Sequence, residues 1–217
     1  MSSIPPRALM FDLDGTLVNT MSGFADLAAS IMSHHHGADW ATARTRYLET
    51  SGLPFRRQLE VIVPSHPGNE RAAEEFERRK RNICRATPMD HETRGALATL
   101  RERGLGLIVS SNTGQDFVDE FTRREAFRFD LALGFDVRAG MAKGRPHVER
   151  ALAELRLDRR ELWFIGDSLK DGDLARECGI EFVGRIGTFM PSDFEDRFAG
   201  VRTIRAIGDL VEMTCRR

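Results

Sequence analysis

Short apolar runs alternate with longer amphipathic segments along most of this chain. Apolar runs of four or five residues closed by turn formers indicate buried strands, and apolar residues at every third or fourth position indicate helices. The clearest strand begins at Ala8 and ends in residues 10–16, Met-Phe-Asp-Leu-Asp-Gly-Thr. The same pattern predicts further strands at residues 105–109, 131–135, 162–165 and 180–183, followed by a tail of short elements.

The alternation of strands and helices predicts an α/β fold: a Rossmann-like, mostly parallel sheet core with helices on both faces. Between Thr16 and Leu105 the pattern is helical and shows no strand. This connection between the first two strands is too long for a single crossover helix. We therefore expect residues 19–88 to form an inserted α-helical cap domain, and residues 1–18 and 89–217 to form the core domain. A ligand site is expected at the junction of the two domains.

Three consecutive histidines, His34, His35 and His36, end the first helical segment. Consecutive helical side chains point about 100° apart, so the three cannot converge on one metal ion. The sequence predicts a frayed, solvated helix end there.

Composition narrows the class of protein. The chain has 217 residues, of which 41% are hydrophobic and 30% charged, as in soluble globular proteins. A formal net charge of −1 gives no long-range attraction to nucleic acid or a membrane surface. The three cysteines form no close pair and no metal-binding spacing. We expect a cytoplasmic protein without nucleic-acid or membrane partners, and the sequence leaves monomer and homodimer open.

Polar groups cluster where the predicted strands end. In α/β sheets the carboxyl ends of the strands bind ligands. Asp12 and Asp14 lie two positions apart at the end of the first strand, so their side chains are expected on the same face. Two carboxylates that close repel each other by about 1 kcal/mol in water, so we expect a positively charged neighbour. The later strand ends and loops contribute Ser110, Ser111, Asn112, Lys143, Asp167 and Asp171.

These residue types together favour chemistry on a phosphoryl group. Carboxylate oxygens suit Mg²⁺, whereas a lysine and free turn amides suit phosphate. An aspartate can act as the nucleophile and form an aspartyl-phosphate. Each motif alone also has a purely structural interpretation, as a helix cap, a surface lysine or a pair of acids at a helix start. Their joint occurrence at successive strand ends favours a phosphoryl-transfer site.

The whole set resembles the haloacid dehalogenase superfamily of phosphohydrolases, in particular capped members such as phosphoglycolate phosphatases and β-phosphoglucomutases. The matching motifs are Asp12-Leu-Asp-Gly-Thr-Leu, Ser110 after an apolar strand, Lys143, and Gly166-Asp-Ser-Leu-Lys-Asp171. Two positions depart from the usual pattern. Asn19 stands where many relatives have Asp, and Lys143 is followed by Gly-Arg-Pro instead of Pro-x-Pro.

The resemblance implies a role for each matching residue. Asp12 would be the nucleophile and a Mg²⁺ ligand, and Asp14 the general acid/base that also offers its backbone carbonyl to the metal. Asp167 would complete the metal site, with Asp171 either a ligand or a partner that orients Lys143. Lys143 and one of the two serines, Ser110 (preferred) or Ser111, would bind the phosphoryl group, with support from Asn112. Gly15 and Thr16 would shape the loop.

The function implied is a Mg²⁺-dependent phosphatase of a small phosphorylated metabolite. A sugar phosphomutase of the same capped type is the enzymatic alternative, and a catalytically silent binding or regulatory module is the alternative from another class. Substrate selectivity is expected to come from the cap. The helical pattern of the cap breaks at Gly52, and we expect this break to face the active site. Arg56 or Arg57, which follow it, offer planar cationic groups that would bind the non-transferring end of the substrate.

Overall fold

A computed structural model describes residues 4–215 of the chain. Within this range, six parallel strands form one sheet in the order β3-β2-β1-β4-β5-β6. The α/β architecture predicted from the sequence is therefore confirmed. The strands are β1 (Ala8–Phe11), β2 (Gly106–Gly114), β3 (Leu131–Phe135), β4 (Leu162–Gly166), β5 (Glu181–Arg185) and β6 (Arg202–Ile204).

Helices connect the strands and cover both faces of the sheet. They are α1 (Met21–His36), α2 (Trp40–Glu49), α3 (Phe55–Ile62), α4 (Asn69–Ala86), α5 (His91–Glu102), α6 (Gln115–Glu125), α7 (Arg145–Leu155), α8 (Leu169–Cys178), α9 (Pro191–Arg197) and α10 (Asp209–Met213). None of the helices among these described residues is long and apolar enough to cross a membrane.

Alternating side chains of the strands build two separate cores. Leu9 and Phe11 of β1 pack into a cluster that also contains residues of α5, α6 and α10. Ala8 and Met10 pack into a second cluster with residues of α7, α8 and α9. Because both faces of β1 are buried, the strand is apolar at every position instead of alternating, as expected for the centre of a parallel sheet.

The strand order changes direction at β1. The chain proceeds from β1 to β2 and β3 on one side, and then returns to place β4, β5 and β6 on the other. Such a switch point leaves a crevice at the carboxyl ends of the central strands, because the connecting helices on its two sides leave in opposite directions. In this sheet the crevice lies beyond Phe11 and Ile165, which are paired in register.

The chain divides into two compact units, with boundaries between Val18 and Asn19 and between Pro88 and Met89. The inserted unit contains α1 to α4 and packs around the aromatic ring of Phe76 in α4. The ring centroid of Phe55 lies 4.3 Å from that of Phe76, and those of Tyr47 and Phe24 lie 5.7 and 6.0 Å away. Its role as a cap stays a prediction.

The histidine-rich end of α1 differs from the prediction. His35 Nε2 lies 2.8 Å from Glu75 Oε2, and His36 Nε2 lies 2.9 Å from Asn69 Oδ1. Both partners belong to α4, so tertiary contacts hold the end of α1, which was wrongly expected to be frayed and solvated. The ring planes of His34 and His35 lie at 83° to each other, and those of His35 and His36 lie at 56°.

Strand β2 also differs from the prediction. Residues 110–114, expected to form a polar turn after the strand, continue the strand to Gly114. Pairing with β3 shifts register between Ser110 and Gly114, so this polar part of the strand is irregular. Beside this irregular part, the Gln115 side chain donates to the carbonyl of Ala132 and accepts from the N–H of Gly134, so it bonds two backbone groups of β3.

Candidate active site

Asp12 lies at the switch point of the sheet. It directly follows β1, and its backbone N–H donates a 2.9 Å hydrogen bond to the carbonyl of Ile165 in β4. The parallel register of β1 and β4 therefore brings Asp12 level with the end of β4, which Asp167 follows. Two carboxylates that are 155 positions apart in the chain thus meet at one edge of the sheet.

Lys143 joins two of the acids. Its Nζ lies 2.6 Å from Asp12 Oδ1 and 2.6 Å from Asp171 Oδ1. All three side chains are less than one-tenth exposed. This ammonium is the positive neighbour that the sequence required beside the acidic pair.

Asp171 is held on both of its carboxylate oxygens. Its Oδ2 accepts a 2.7 Å hydrogen bond from the hydroxyl of Ser168 and a 3.2 Å bond from the Ser168 backbone N–H. Ser168 is the N-cap of α8, and its hydroxyl in turn accepts from the Asp171 N–H. A side chain at Gly166 would collide with the Asp171 carboxylate at 2.5 Å, so glycine is required where Asp171 folds back on the strand.

Asp167 faces the same centre. Its Oδ2 accepts a 2.7 Å hydrogen bond from the hydroxyl of Thr188, in the loop after β5. Asp12, Asp167 and Asp171 each offer a carboxylate oxygen, and these three oxygens lie within 4.8 Å of one another. They are the group in residues 4–215 that could hold a metal ion.

Burial and charge shift the protonation equilibria of this group. Burial raises the pKa of the Asp167 carboxyl to about 7, and the nearby Asp171 carboxylate adds to the rise. Burial likewise raises the pKa of Asp12, although the ammonium of Lys143 opposes the change. Burial alone would lower the pKa of Lys143, but the carboxylates of Asp12 and Asp171 outweigh it and raise this pKa above the ordinary lysine value.

These shifts bear on whether a metal ion fits. Three buried carboxylates share one ammonium, so two negative charges are uncompensated when all three are ionised. A divalent cation would neutralise them, and a cluster of carboxylate oxygens is the donor set that hard cations such as Mg²⁺ prefer. The residues present therefore fit a divalent metal ion. The predicted contribution of Asp14 to the metal site through its backbone carbonyl stays a prediction.

The turn after β1 positions Asp14, Gly15 and Thr16. Gly15 has a φ of +88°, which other residues adopt only with strain, and its N–H donates a 2.8 Å hydrogen bond to the carbonyl of Val18. Asp14 Oδ2 accepts a 3.1 Å hydrogen bond from the hydroxyl of Thr113. The hydroxyl of Thr16 is buried and has no hydrogen-bond partner among the residues described.

The two neighbouring serines of β2 have different surroundings. The Ser110 hydroxyl lies 2.9 Å from Nδ1 of His147, whose Nε2 lies 3.1 Å from the carbonyl of Gly134. A carbonyl only accepts, so Nε2 must bear the proton, and Ser110 donates to the bare Nδ1. Burial lowers the pKa of His147 to about 4, with a further contribution from the charge of Lys143, which keeps this imidazole neutral at pH 7.

Ser111 has a different partner. Its Oγ accepts a 3.0 Å hydrogen bond from the backbone N–H of Thr113, which leaves the hydroxyl proton to point elsewhere. Asn112 is exposed between these two buried residues. Ser110 was the preferred phosphate ligand in the sequence, but its hydroxyl is already committed to His147, whereas that of Ser111 is available as a donor.

The predicted substrate-binding residues of the inserted unit lie around one turn. Gly52 has a φ of +91° in the turn between α2 and α3, and Arg56 and Arg57 are exposed in the first turn of α3. Arg56 forms an ion pair of 2.6 Å with Glu70 of α4. Their predicted contact with substrate stays a prediction.

Sequence reasoning missed four residues that hold the predicted ones in place: Thr113, His147, Ser168 and Thr188. Ser168 had a local signal, because Ser-x-x-Asp before a helix is a capping-box pattern. Thr113 lies in the same strand as Ser111, which the shortened β2 prediction concealed. His147 and Thr188 had no local signal, since their partners are 37 and 21 positions away.

Comparison with known proteins agrees with this geometry. Residues 9–185 match the profile of the family described as haloacid dehalogenase-like hydrolase. The chain is 24% identical over 200 residues to the N-acetylmuramic acid 6-phosphate phosphatase of Pseudomonas aeruginosa, covering 86% of this chain and 85% of that protein. It is 27% identical over 188 residues to the pyrophosphatase PpaX of Anoxybacillus flavithermus, covering 82% of each.

A solved structure shares the fold. The crystal structure of a hydrolase from Pseudomonas syringae superposes with a TM-score of 0.78 at 18% identity, covering 96% of this chain and 97% of that one. The family match spans most of the chain, from the second residue of β1 to the end of β5. The two relatives that match over most of their length are named as phosphatases. The chain therefore belongs to the haloacid dehalogenase-like hydrolase family, and it is a phosphatase.

Proposed function

We propose that this phosphatase hydrolyses a phosphomonoester of a small metabolite, with Mg²⁺ as its metal ion and an aspartyl-phosphate on Asp12 as its intermediate. The observation that supports this most strongly is the arrangement around Asp12. A buried carboxylate contacts the Lys143 ammonium at 2.6 Å and lies in a cluster with Asp167 and Asp171 that fits a divalent metal ion. An anionic nucleophile and an anionic substrate need this concentration of positive charge in order to approach each other.

The first step transfers the phosphoryl group to the protein. An oxygen of Asp12 attacks phosphorus, the bond from phosphorus to the substrate oxygen breaks, and Asp14 as the acid gives its proton to the departing alkoxide. Lys143 holds the phosphoryl oxygens. When bound by Asp12 and Asp167, Mg²⁺ would screen the negative charges of nucleophile and phosphoryl group.

The second step releases inorganic phosphate. Asp14, now ionised, takes a proton from a water molecule whose oxygen attacks phosphorus, and the bond between phosphorus and Asp12 breaks. The nucleophile and the acid are thereby restored. General acid/base help of this kind is worth about 10²- to 10⁴-fold in rate.

We propose Ser111 as the phosphoryl-binding serine and Asp171 as the residue that orients Lys143. The Ser111 hydroxyl accepts from the Thr113 N–H on one lone pair and can still donate its proton, whereas the Ser110 hydroxyl donates to His147. Asp171 uses one oxygen for Lys143 and the other for Ser168. Each carboxylate oxygen of Asp171 has a second lone pair, so these contacts are compatible with a further role of Asp171 as a metal ligand.

The test is phosphate release from a panel of phosphorylated metabolites with and without Mg²⁺. The two relatives are named for a sugar phosphate and for pyrophosphate, so the panel includes N-acetylmuramic acid 6-phosphate and pyrophosphate beside simple phosphomonoesters. We expect turnover of at least one phosphomonoester that requires Mg²⁺ and is abolished by chelator. Asp12→Asn should lower kcat by at least about 10³-fold, because an amide is a poor nucleophile.

Asp130→Asn is the matched control. Asp130 precedes β3 at the opposite edge of the sheet, where it accepts a 2.8 Å hydrogen bond from Leu107 N–H that an asparagine oxygen can keep. This variant should retain activity. Phosphate release that continues in excess chelator, or in a folded Asp12→Asn protein, would contradict the proposed mechanism.

A further inference from the structure

Thr113 contacts two parts of the proposed catalytic machinery. Its hydroxyl donates to Asp14 Oδ2 at 3.1 Å, and its backbone N–H donates to Ser111 Oγ at 3.0 Å. Its side chain is buried, with 6% of the residue exposed. Thr113 and Ser111 are two positions apart in β2, and the bond from the Thr113 N–H to Ser111 Oγ joins them directly.

The contact with Asp14 orients its carboxyl group without adding charge. The Thr113 hydroxyl is a neutral donor, so it fixes the direction of the Asp14 carboxyl without adding the positive charge that Lys143 gives to Asp12. A general acid must lose and regain its proton within each turnover. A fixed cation beside it would hold it in the ionised form, whereas a hydroxyl can donate to the carboxylate and remain in place when the acid is protonated.

The contact with Ser111 has a different consequence. A backbone N–H can only donate, so it occupies a lone pair of Ser111 Oγ and leaves the serine proton for another acceptor. Thr113 thus contacts both Ser111, which would donate to the phosphoryl group, and Asp14, which would protonate the leaving group.

We propose that Thr113 is a positioning residue that orients Asp14 through its hydroxyl and Ser111 through its N–H. This inference rests on the proposed function, in which Asp14 is the acid/base and Ser111 binds the phosphoryl group. The two contacts can be tested separately, because a substitution of the Thr113 side chain removes the hydroxyl contact with Asp14 and keeps the backbone contact with Ser111.

The test compares Thr113→Val with Thr113→Ser on two aryl phosphates. Valine has the shape of threonine without the hydroxyl, and serine keeps the hydroxyl. With phenyl phosphate, whose leaving group is strongly basic, we expect Thr113→Val to lower kcat by about 10- to 100-fold, the order expected for a misplaced catalytic group. With p-nitrophenyl phosphate, whose leaving group needs little protonation, the loss should be several-fold smaller, and Thr113→Ser should restore most of both.

Phosphate binding provides the second measurement. Inhibition by inorganic phosphate should be nearly unchanged in Thr113→Val, since the N–H to Ser111 remains, and should weaken by about tenfold or more in Ser111→Ala. In an Asp14→Asn background, Thr113→Val should cause no further selective loss on phenyl phosphate. Thr214→Val is the matched control, because Thr214 is also buried and its hydroxyl donates to a carbonyl, that of Leu210.

Two results would overturn the inference: equal losses on both aryl phosphates that Thr113→Ser does not restore, or the same selective loss in the Asp14→Asn background. Failure of the proposed function is recognised separately, because the unmodified protein would then release no phosphate from any phosphomonoester.

Discussion

Buried ionisable side chains near the carboxyl edge of the sheet have pKa values shifted in opposite senses. The pKa of His147 is lowered to about 4 because burial disfavours the imidazolium, and the charge of Lys143 adds to this. The pKa of Asp167 is raised to about 7 because burial disfavours its carboxylate, and Asp171 adds to that. Both groups prefer their neutral form in the folded, metal-free protein, so they affect stability in different ranges of pH.

His147 should make the folded protein sensitive to acid. Below its unfolded pKa of about 6.5 the unfolded chain takes up a proton that the folded chain rejects, so stability present above pH 6.5 is lost as pH falls towards 4. The loss attributable to this residue is about 3 kcal/mol. Denaturant unfolding of the unmodified protein and of His147→Asn between pH 4.5 and 8 measures it.

His147→Asn should be less stable at pH 8, since one of the two hydrogen bonds is lost, and should lack the part of the acid slope that comes from the imidazole. The difference in unfolding free energy between the two proteins must therefore shrink towards pH 4.5. A constant difference across this range would show that His147 is not buried as a neutral group. His91→Asn, at an exposed position in α5, controls for removal of an imidazole from the surface.

At the scale of elements, the turn between α2 and α3 is held by a buried side chain. Gln58 of α3 accepts a 3.0 Å hydrogen bond from the Thr50 hydroxyl and donates a 2.9 Å bond to the carbonyl of Leu53. These bonds close residues 50–53 around Gly52, whose φ of +91° allows the sharp turn. The first turn of α3, which contains Arg56 and Arg57, directly follows this hydrogen-bonded turn.

Of the two arginines, Arg57 is the better candidate for substrate selection, because Arg56 is already paired with Glu70. We expect Arg57→Ala to lower kcat/KM by about tenfold on the best metabolite substrate and to change it little on p-nitrophenyl phosphate. The reason is that binding energy from the remote part of a substrate supports its reaction, and the nitrophenyl ester lacks that part. Steady-state kinetics of both variants on both substrates provide the measurement.

Arg56→Ala serves as the matched variant, since it removes the same group one position away. Its ion pair with Glu70 is exposed, so its loss should cost little stability. If neither substitution changes the ratio of kcat/KM between the two substrates, this turn does not select the substrate.

At the scale of the whole molecule, the chain is nearly neutral but has a cluster of negative charge at the carboxyl edge of the sheet. The formal net charge is −1, yet Asp12, Asp167 and Asp171 lie together with one ammonium among them. Without metal, Asp167 keeps its proton up to about pH 7 in the folded state but ionises near pH 4 in the unfolded state. Its contribution to stability is therefore full at low pH and is lost as pH rises to 7.

Divalent metal should reverse this loss. We expect Mg²⁺ to raise the Tm markedly at pH 8 and less at pH 5.5, where protons compete for the same carboxylate, and potassium chloride of equal ionic strength should not reproduce the effect. Asp167→Asn should be more stable than the unmodified protein at pH 8 in chelator and should lose most of the response to Mg²⁺. Thermal unfolding at the two pH values tests both expectations. An unchanged response to Mg²⁺ in this variant would exclude Asp167 as a ligand.

Local patterns were sufficient for the α/β class and for most strand ends. Residues 8–11 and 162–165 are apolar runs, the first followed by Asp12 and the second by Gly166 and Asp167. Such runs favour burial on both faces of a strand. The polar residues 110–114 were misplaced in a turn, because their strand conformation depends on pairing with β3. The solvated histidine end was also wrong, since Glu75 and Asn69 reach it from another helix.

The sequence by itself determined which chemical groups stand at the carboxyl edge, because strand ends and their acids are encoded within a few residues. Only the tertiary structure decided which groups touch. Lys143 contacts Asp12 across 131 positions, and Thr113 contacts Asp14 across 99. Such distances leave no periodicity in the chain, so the sequence could not show that Ser110 contacts His147 whereas Ser111 contacts Thr113. Burial, which sets the pKa values of His147 and Asp167, likewise exists only once the chain has folded.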